Sequence, residues 1–410
     1  MEQKKKRVLV VSQHYWPENF RVTDLCRGLV EDGAQVDVLC GLPNYPAGEW
    51  FPGYRYAGPR RQQHKGVEIW RAGEVRRKGN TSARIFLNYV SWPLAALFSL
   101  PRLPGRYDAV LCYETSPVLM LLPAIVYAKL HRVPLTAYVL DLWPENLYSA
   151  LPVKNRLQPA VAAGVSHWHY RRCDQLIAMS PALADTLRAI APRARVTVIP
   201  QYCEDFYARD VRDDALTARF AGRFNVLFAG NISPAQDLSL LVECARRFQS
   251  EGRRDIHFVL VGDGMSRQAL AADIAAAGVE EWFTFEGQKP PTDIPAYHTA
   301  ADALFCALAK SADLGLTVPA KVASYMAAGR PLLVAVDGEA ARVVDEAGCG
   351  LTGPAGDAGA LHDNILALAA MEPARRAALG ERGRAYYQAH FRRGLLLRRL
   401  EEFLLGRETL

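Results

Sequence analysis

Several signals that define other classes of protein are missing from this chain. None of its eight cysteines forms a Cys-x-x-Cys pair, which argues against a structural zinc site and favours thiols acting as small hydrophobes in a reducing cytoplasm. The basic start MEQKKKR precedes only four apolar residues, too few for the core of a signal peptide. The segment SQHYWPENF (12–20) after the first apolar run has no glycine, so the dinucleotide fingerprint of a dehydrogenase is absent there.

The length and composition predict a folded chain of two domains. With 410 residues, the protein is too long for one ordinary hydrophobic core. Half of the residues are hydrophobic and 22% are charged, as in globular proteins. The mean hydropathy of −0.05 excludes a polytopic membrane protein.

The net charge of +6 is unevenly distributed along the chain. Residues 1–195 carry 26 Lys and Arg against 15 Asp and Glu, whereas the remainder carries 23 against 28. The basic clusters lie at 4–7, 60–61, 76–78 and 171–172. This asymmetry favours an anionic partner for the first half, such as a membrane surface, a pyrophosphate lipid or nucleic acid; the alternative is an ordinary solvated basic surface.

Apolar runs alternate with segments of helical periodicity in both halves of the chain. RVLVVSQ (7–13) and FNVLFAGN (224–231) are typical of strands buried on both faces. We therefore predict an α/β protein with two doubly wound parallel sheets, whose carboxyl ends face a ligand-binding cleft. The predicted domains are 1–201 and 202–385, with a polar linker at 202–223 and a C-terminal helix at 386–410 that packs back on the first domain.

One apolar stretch of intermediate length lies between the basic clusters. It reads IFLNYVSWPLAALFSLP (85–101) and is marginal for crossing a bilayer. With Arg84 and Arg102 at its ends, it is suited to entering one leaflet. The alternative is an ordinary buried helix.

Seven segments in order give the chain a specific resemblance. They are SQHYWPENFR (12–21), GLPNYPAGEWFPGY (41–54), VLDLWPEN (139–146), FAGNISPAQDL (228–238), VGDGMSR (261–267), FEGQKP (285–290) and LTVPAKVASYMAAGRPLLVAVDGEAARVV (316–344). The chain resembles retaining glycosyltransferases of family four, and most closely the WbuB-like transferases that handle fucosamine-type sugars in bacterial polysaccharide assembly.

The resemblance implies a GT-B fold and glycosyl transfer from a nucleotide sugar. The expected donor is a UDP-sugar of the N-acetylated deoxyhexosamine type, acting as a co-substrate with no resident cofactor and no metal. The expected acceptor is a saccharide linked to a lipid diphosphate, used with retention of anomeric configuration in O-antigen, capsule or exopolysaccharide assembly. The expected location is the inner face of the cell membrane, with peripheral attachment and no nucleic-acid partner.

The strongest candidate for holding a diphosphate is Lys321. It follows Pro319 at the predicted start of a helix, where backbone N–H groups and the helix dipole favour an anion. A lysine there would stabilise the negative charge that develops on the departing diphosphate. The alternative is a surface lysine in a first helical turn, which the dipole disfavours.

Other donor-side candidates come from the second half of the chain. Many family members have an Arg and a Lys after the first strand of the second domain, where both hold the diphosphate. The matching positions here are Asn231 and Gln236, which are neutral. Positive charge in addition to that of Lys321 must therefore come from Arg267 or Lys310.

The family also has two glutamates near the donor sugar and ribose. The first has no clean counterpart here: the helix position before Tyr325 is Ser324, and Asp313 lies nearby. Glu339 is the remaining candidate for contact with the ribose or donor sugar, although a favourable helix start alone would also explain it.

Turns after two further strands complete the predicted donor side. Gly262 and Gly264 flank Asp263 at the end of an apolar run, a pattern that also occurs in ordinary turns. The resemblance places the nucleotide base near the backbone of Gln288.

In the first half, candidates cluster after predicted strands. Asp141 and Glu145 are predicted to orient hydroxyl groups of donor or acceptor, although N-capping of the next helix would also explain them. Glu18 and Asn19 lie in the first strand-to-helix turn and are assigned to the acceptor side. His14 lies in the same turn, where a lone histidine is more often structural.

Two rival functions fit the same architecture. A UDP-sugar 2-epimerase would release a free epimer without an acceptor. A membrane-associated scaffold would retain the fold without catalysis. The neutral pair of Asn231 and Gln236, in place of the family's Arg and Lys, is compatible with such a scaffold.

Overall fold

The computed structural model describes residues 5–143, 157–311 and 314–406. The chain forms two compact units. The first comprises Met1–Ile199 with Leu397–Leu410, and the second comprises Pro200–Leu396.

The first unit is built on an eight-stranded sheet in the order β3-β4-β2-β1-β5-β6-β7-β8. All neighbouring strands are parallel except the β3–β4 pair at one edge. The strands are β1 (Arg7–Val11), β2 (Gln35–Cys40), β3 (Arg61–His64), β4 (Val67–Arg71), β5 (Ala109–Glu114), β6 (Leu135–Val139), β7 (Gln175–Ala178) and β8 (Arg195–Val198).

The helices of the first unit cover this sheet. They are α1 (Val22–Glu31), α2 (Ser82–Ser99), α3 (Leu121–His131), α4 (Leu157–Tyr170) and α5 (Pro181–Ile190). Helix α1 packs against β2 and β4, whereas α3 packs against β5 and β6 and lies between α2 and α4. Strands β1, β2 and β5 are almost wholly buried, as their continuous apolar runs predict.

The second unit has a six-stranded, wholly parallel sheet in the order β11-β10-β9-β12-β13-β14. Its strands are β9 (Phe224–Ala229), β10 (Ile256–Val261), β11 (Phe283–Gly287), β12 (Ala303–Ala307), β13 (Leu332–Ala335) and β14 (Gly350–Gly353). Alternate residues enter two different cores: Val226 and Phe228 belong to one, and Leu227 to the other. The sheet is therefore covered by helices on both faces.

The helices of the second unit follow its strands. They are α6 (Asp214–Phe220), α7 (Ser239–Ser250), α8 (Arg267–Ala277), α9 (Ile294–Ala300), α10 (Ala320–Ala328), α11 (Glu339–Ala347), α12 (Ala358–Ala369) and α13 (Pro373–His390). A last helix, α14 (Arg393–Leu404), begins in the second unit and belongs to the first from Leu397 onwards. The prediction of two doubly wound α/β units is confirmed.

Two local predictions differ from the structure. Residues 202–223 are not a linker, because Leu216 and Phe220 on α6 pack into the core of the second unit. The C-terminal helix starts at Arg393, since residues 386–390 complete α13.

The apolar stretch 85–101 forms most of α2. One side of this helix is buried and includes Trp92 and Ala96. Four large apolar side chains on the helix are exposed, namely Phe86, Leu87, Leu94 and Phe98. The helix is therefore not wholly buried, as an ordinary core helix would be. Among the described helices, none is both long enough and apolar enough to cross a membrane.

Candidate functional site

The carboxyl ends of three adjacent strands in the second unit are joined through their backbones. The N–H of Gly230, just after β9, donates to Val261 O at 2.9 Å. The N–H of Gly262, just after β10, donates to the carbonyl of Gly287 at 2.9 Å, and the N–H of Ile232 donates to Asp263 O at 2.9 Å. This end of the sheet is where parallel α/β sheets bind ligands.

Two of the predicted glycines are required by this close approach. A Cβ added at Gly262, whose φ is +140°, would lie 1.9 Å from the carbonyl oxygen of Gly230. A Cβ added at Gly264 would lie 2.2 Å from Ile232 O and 2.5 Å from Oδ1 of Asn231. Any side chain would therefore force these loops apart, and Asn231 lies directly beside Gly264.

Lys321 reaches the same strand ends from the second position of α10. Its ammonium donates a hydrogen bond to Oε1 of Gln236 and lies 3.9 Å from the ring centre of Phe228. A Cβ added at Gly230 would be 3.2 Å from Nζ of Lys321. The structure thus brings together Lys321 and Gln236, which are 85 positions apart in the sequence.

Among the residues that the structure describes, Lys321 has no counter-ion. Its hydrogen-bond partner is an amide oxygen, and among the described residues no carboxylate forms an ion pair with it. Burial lowers the pKa of Lys321 to about 8. A half-buried ammonium beside backbone N–H groups at a helix start is suited to an anionic ligand.

Helix α10 is fixed against the end of β9 by a tyrosine. The hydroxyl of Tyr325 accepts from the N–H of Ala229 at 3.0 Å and contacts its carbonyl at 3.3 Å. Ser324, a predicted donor residue, is buried and donates to the carbonyl of Lys321 at 2.9 Å. Its hydroxyl is therefore engaged within the helix, and Tyr325 is a supporting residue that the sequence did not single out.

The other predicted donor residues lie at neighbouring loops. Arg267 begins α8, with Nε 4.0 Å from Oδ1 of Asp263. Gln288 and Lys310 are exposed after β11 and β12. Asp313 lies outside the described residues.

Glu339 begins α11 and is largely buried. Its Oε2 accepts from Nε and Nη2 of Arg342 at 3.0 and 2.8 Å. This ion pair gives the carboxylate a structural partner in addition to the favourable helix start. Both features are compatible with the alternative in which Glu339 only stabilises the start of its helix.

The first unit places Asp141 two residues beyond β6, where it is half-buried. Its charge, together with burial, raises the pKa of Glu114 at the end of β5, and burial has the larger effect. Tyr170 donates a long hydrogen bond of 3.4 Å to Oε2 of Glu114. Glu145 lies outside the described residues.

The acceptor-side candidates differ in their surroundings. Glu18 is buried: its Oε1 accepts from the N–H groups of Asn44 and Tyr45 at 2.6 and 2.7 Å, and its Oε2 is 2.8 Å from Nδ1 of His14. Asn19 is exposed. Glu18 therefore holds a loop, and Asn19 is the one of this pair that faces solvent.

A buried polar cluster at the carboxyl ends of β1, β2 and β4 was not predicted from the sequence. Its members are Gln13, Asn44, Glu74 and Asn88, all nearly inaccessible to solvent. Their hydrogen bonds join segments up to 75 positions apart. The sequence feature that could have located this cluster is the occurrence of polar residues shortly after three apolar strands.

Among the described residues, no group of three or more His, Cys, Asp or Glu side chains is arranged to hold a metal ion. All eight cysteines are buried, and none of them forms a disulfide.

Two family models match consecutive parts of the chain. Residues 19–201 match the glycosyl transferase 4-like domain. Residues 214–386 match the family described as glycosyl transferases group 1. The first match covers β2 to β8 of the first sheet, and the second match covers all six strands of the second sheet.

Sequence relatives and solved structures also resemble this chain. The chain is 27% identical over 295 residues to a 2-deoxystreptamine glucosyltransferase of Streptomyces kanamyceticus, covering 69% of this chain and 73% of the relative. Sucrose-phosphate synthase of Thermosynechococcus elongatus matches at 17% identity with a TM-score of 0.74, over 97% of this chain and 98% of that one. Anabaena HepE, solved with UDP and glucose, matches at 14% identity with a TM-score of 0.72, over 98% and 100%. With its glycosyl transferase 4-like and group 1 domains on two Rossmann-like sheets, the chain belongs to the glycosyltransferases of GT-B fold.

Proposed function

We propose that the protein transfers a sugar from a UDP-sugar to a saccharide carried on a lipid diphosphate. The proposal of a UDP-sugar donor rests on the environment of the Lys321 ammonium. This group has no carboxylate partner among the described residues and lies beside Gln236 at strand ends that are lined by glycines. A diphosphate supplies the missing negative charge. The solved HepE structure contains UDP and glucose, which supports the same ligand class here.

The proposed chemistry is transfer with retention of anomeric configuration. The acceptor hydroxyl attacks from the face that the departing diphosphate leaves, and a β-phosphate oxygen takes the hydroxyl proton. Lys321 stabilises the charge that accumulates on the leaving group. Asp141 and Glu145 orient sugar hydroxyls, and the reaction uses no resident cofactor or metal.

The proposed sugar is an N-acetylated deoxyhexosamine, following the resemblance to WbuB-like transferases. The proposed setting is assembly of a bacterial O-antigen, capsule or exopolysaccharide. The excess of Lys and Arg in residues 1–195 favours an anionic acceptor such as a lipid diphosphate. The relative named for 2-deoxystreptamine supplies the competing class, a small amino-cyclitol acceptor.

The donor is tested by a panel of UDP-, GDP- and dTDP-sugars assayed with lipid-diphosphate saccharides and with 2-deoxystreptamine. We expect UDP, added without an acceptor, to raise the midpoint of thermal unfolding, because a ligand that binds the native state stabilises that state. We also expect turnover only with UDP-sugars and lipid-linked acceptors, and a product whose anomeric configuration matches the donor by NMR.

The rival functions give different results in the same assays. Formation of a free epimer from the donor without acceptor identifies a 2-epimerase. No thermal shift at millimolar UDP favours the non-catalytic scaffold. Turnover with 2-deoxystreptamine alone overturns the lipid-linked acceptor and leaves the donor assignment intact.

An apolar surface in the first unit supports peripheral attachment to the inner face of the cell membrane. On α2 the exposed side chains are Phe86, Leu87, Leu94 and Phe98. On α4 they are Val161, Val165 and Trp168. Helix α3 packs against both, and exposed Arg84 and Arg102 lie near the two ends of α2. Apolar side chains next to cations match an anionic lipid surface.

We expect Phe98→Asp to weaken binding to vesicles that contain anionic lipid by about tenfold or more, because one buried Phe contributes about 1.5–3 kcal/mol. Phe98 is 82% exposed, so the fold should be unaffected. Co-sedimentation with vesicles measures the effect, and Val211→Asp, an exposed apolar position in the second unit, is the matched control. Equal vesicle binding by wild type and Phe98→Asp would contradict attachment through α2.

A further inference from the structure

The carboxyl group of Glu74, just beyond β4, is buried and receives three amide hydrogen bonds. Nε2 of Gln13 donates to Oε2 at 2.6 Å, and Nδ2 of Asn88 donates to the same oxygen at 2.9 Å. Nδ2 of Asn44 donates to Oε1 at 3.1 Å. Only 3% of Glu74 is exposed, so these amides replace the water that a carboxyl group would otherwise bind.

The three partners of Glu74 come from different parts of the first unit. Gln13 follows β1, Asn44 follows β2, and Asn88 lies on α2. The backbone at Gly41 approaches so closely that an added Cβ would be 2.3 Å from Oε1 of Glu74. One side chain therefore joins the loops after β1 and β2 to α2.

Surrounding charged groups extend these contacts. Arg77 donates from Nε to Oδ1 of Asn88 at 3.0 Å and from its backbone N–H to Oδ1 of Asn44 at 3.2 Å. Nη2 of Arg77 lies 3.5 Å from Nε2 of His14, which pairs with Glu18. Burial, with the charge of Glu18, raises the pKa of Glu74 to about 8, while Arg77 opposes the shift.

Exposed aromatic rings lie on the outer side of this cluster. The hydroxyl of Tyr56 donates to the backbone carbonyl of Glu74 at 2.9 Å, and Tyr56 as a residue is 54% exposed. Trp50 packs edge-on against Tyr56 with ring centres 5.2 Å apart. Tyr45, also exposed, lies over the guanidinium of Arg77 at 5.3 Å. Aromatic faces of this kind are suited to packing against sugar rings.

We propose that Glu74 is a positioning residue that fixes the loops at 12–20 and 41–58 so that Tyr45, Trp50 and Tyr56 bind the saccharide part of the acceptor. The inference rests on the proposed transfer reaction. Glu74 itself is too deeply buried to touch the acceptor, so its effect passes through Asn44 and Tyr56.

The test is Glu74→Gln, assayed above the pKa of about 8 at which Glu74 becomes a carboxylate with two acceptor oxygens. The variant keeps the size of the side chain but replaces one acceptor oxygen by an N–H₂ donor. At least one of the three amides then faces another donor, which is unfavourable in a buried site. We expect the acceptor KM to rise about tenfold or more, with the donor KM and the UDP-induced thermal shift within about twofold of wild type. A purely structural role would lower the amount of folded enzyme without this split between the two substrates.

Glu68→Gln is the matched control, because Glu68 is on β4 and pairs with exposed Arg61 at the surface. It should leave both KM values unchanged. If Glu74→Gln does not fold, Asn44→Ala removes a single amide from the cluster and should give the same split. An unchanged acceptor KM in folded Glu74→Gln would overturn the proposal.

Hydrogen exchange separates this inference from the proposed function. We expect Glu74→Gln to lose amide protection in residues 12–20 and 41–58, whether or not an acceptor has been found. Unchanged protection overturns the positioning role even if transfer occurs. Absence of transfer by the wild-type protein to any lipid-linked acceptor overturns the proposed function instead.

Discussion

Replacing Lys321 by alanine is expected to lower kcat by about 100-fold or more while the protein stays folded. The ammonium lies at the start of α10, beside Gln236 and Gly230, and among the described residues it has no carboxylate partner. In the proposed reaction this charge stabilises the diphosphate of the donor, and the stabilisation increases as the sugar–phosphate bond breaks. Its loss removes stabilisation from the transition state more than from the bound substrate.

Lys321→Met separates the charge of this side chain from its packing. The methionine keeps an apolar chain against the ring of Phe228, which Nζ of Lys321 approaches to 3.9 Å, but carries no charge. Both variants should therefore lose similar activity, and the methionine variant should be the more stable. Arg246→Ala, an exposed change on α7, controls for loss of a surface cation. A kcat within about threefold of wild type in both Lys321 variants would exclude the assigned role.

The pH dependence of UDP binding gives a second readout of Lys321. Burial lowers the pKa of Lys321 to about 8 in the free protein. The ammonium is present below that pH and is lost as the pH rises through it, whereas a bound diphosphate favours the charged form. UDP affinity should therefore decrease as the pH rises above about 8, and Lys321→Met should lack this decrease.

The second large effect is expected from Gly262→Ala, which should destabilise the second unit by about 3 kcal/mol or more. The new Cβ would lie 1.9 Å from the carbonyl oxygen of Gly230, and the φ of +140° is itself unfavourable for alanine. Relief requires the loops after β9 and β10 to separate. UDP binding should therefore be lost together with stability.

Gly222→Ala is the matched control for Gly262→Ala. Gly222 also has a positive φ, of +87°, but an added Cβ meets nothing within 4 Å. It should cost about 1–2 kcal/mol from backbone strain alone and leave UDP binding intact. Midpoints of denaturant unfolding compare the two variants. Equal losses of stability would show that the contact with Gly230 is not what requires glycine at 262.

Local sequence is sufficient to predict the helix start and the strand end at which the proposed donor residues lie. Lys321 was predicted at a helix start and lies at the second position of α10. Gly262 and Gly264 were predicted at a strand end and follow β10 directly. These features depend on residues that are neighbours in the chain, so periodicity and turn chemistry reveal them.

Local sequence was misleading where packing decides the outcome. The polar composition of 202–223 predicted a linker, but Leu216 and Phe220 lie on one side of a short helix and enter a core. The apolar stretch 85–101 gave no indication of which residues would be exposed. Phe98 and Trp92 have the same apolar character, yet one is 82% exposed and the other is fully buried.

Two largely parallel α/β sheets are predictable from the sequence, because continuous apolar strands alternating with amphipathic helices have few other ways to bury their surfaces. Which polar groups meet depends on the tertiary structure. Lys321 and Gln236 are 85 positions apart, and Gln13 and Glu74 are 61 apart. Partners at such separations meet only after the strands have been placed side by side in the sheet, since no local pattern specifies which strand ends will be adjacent.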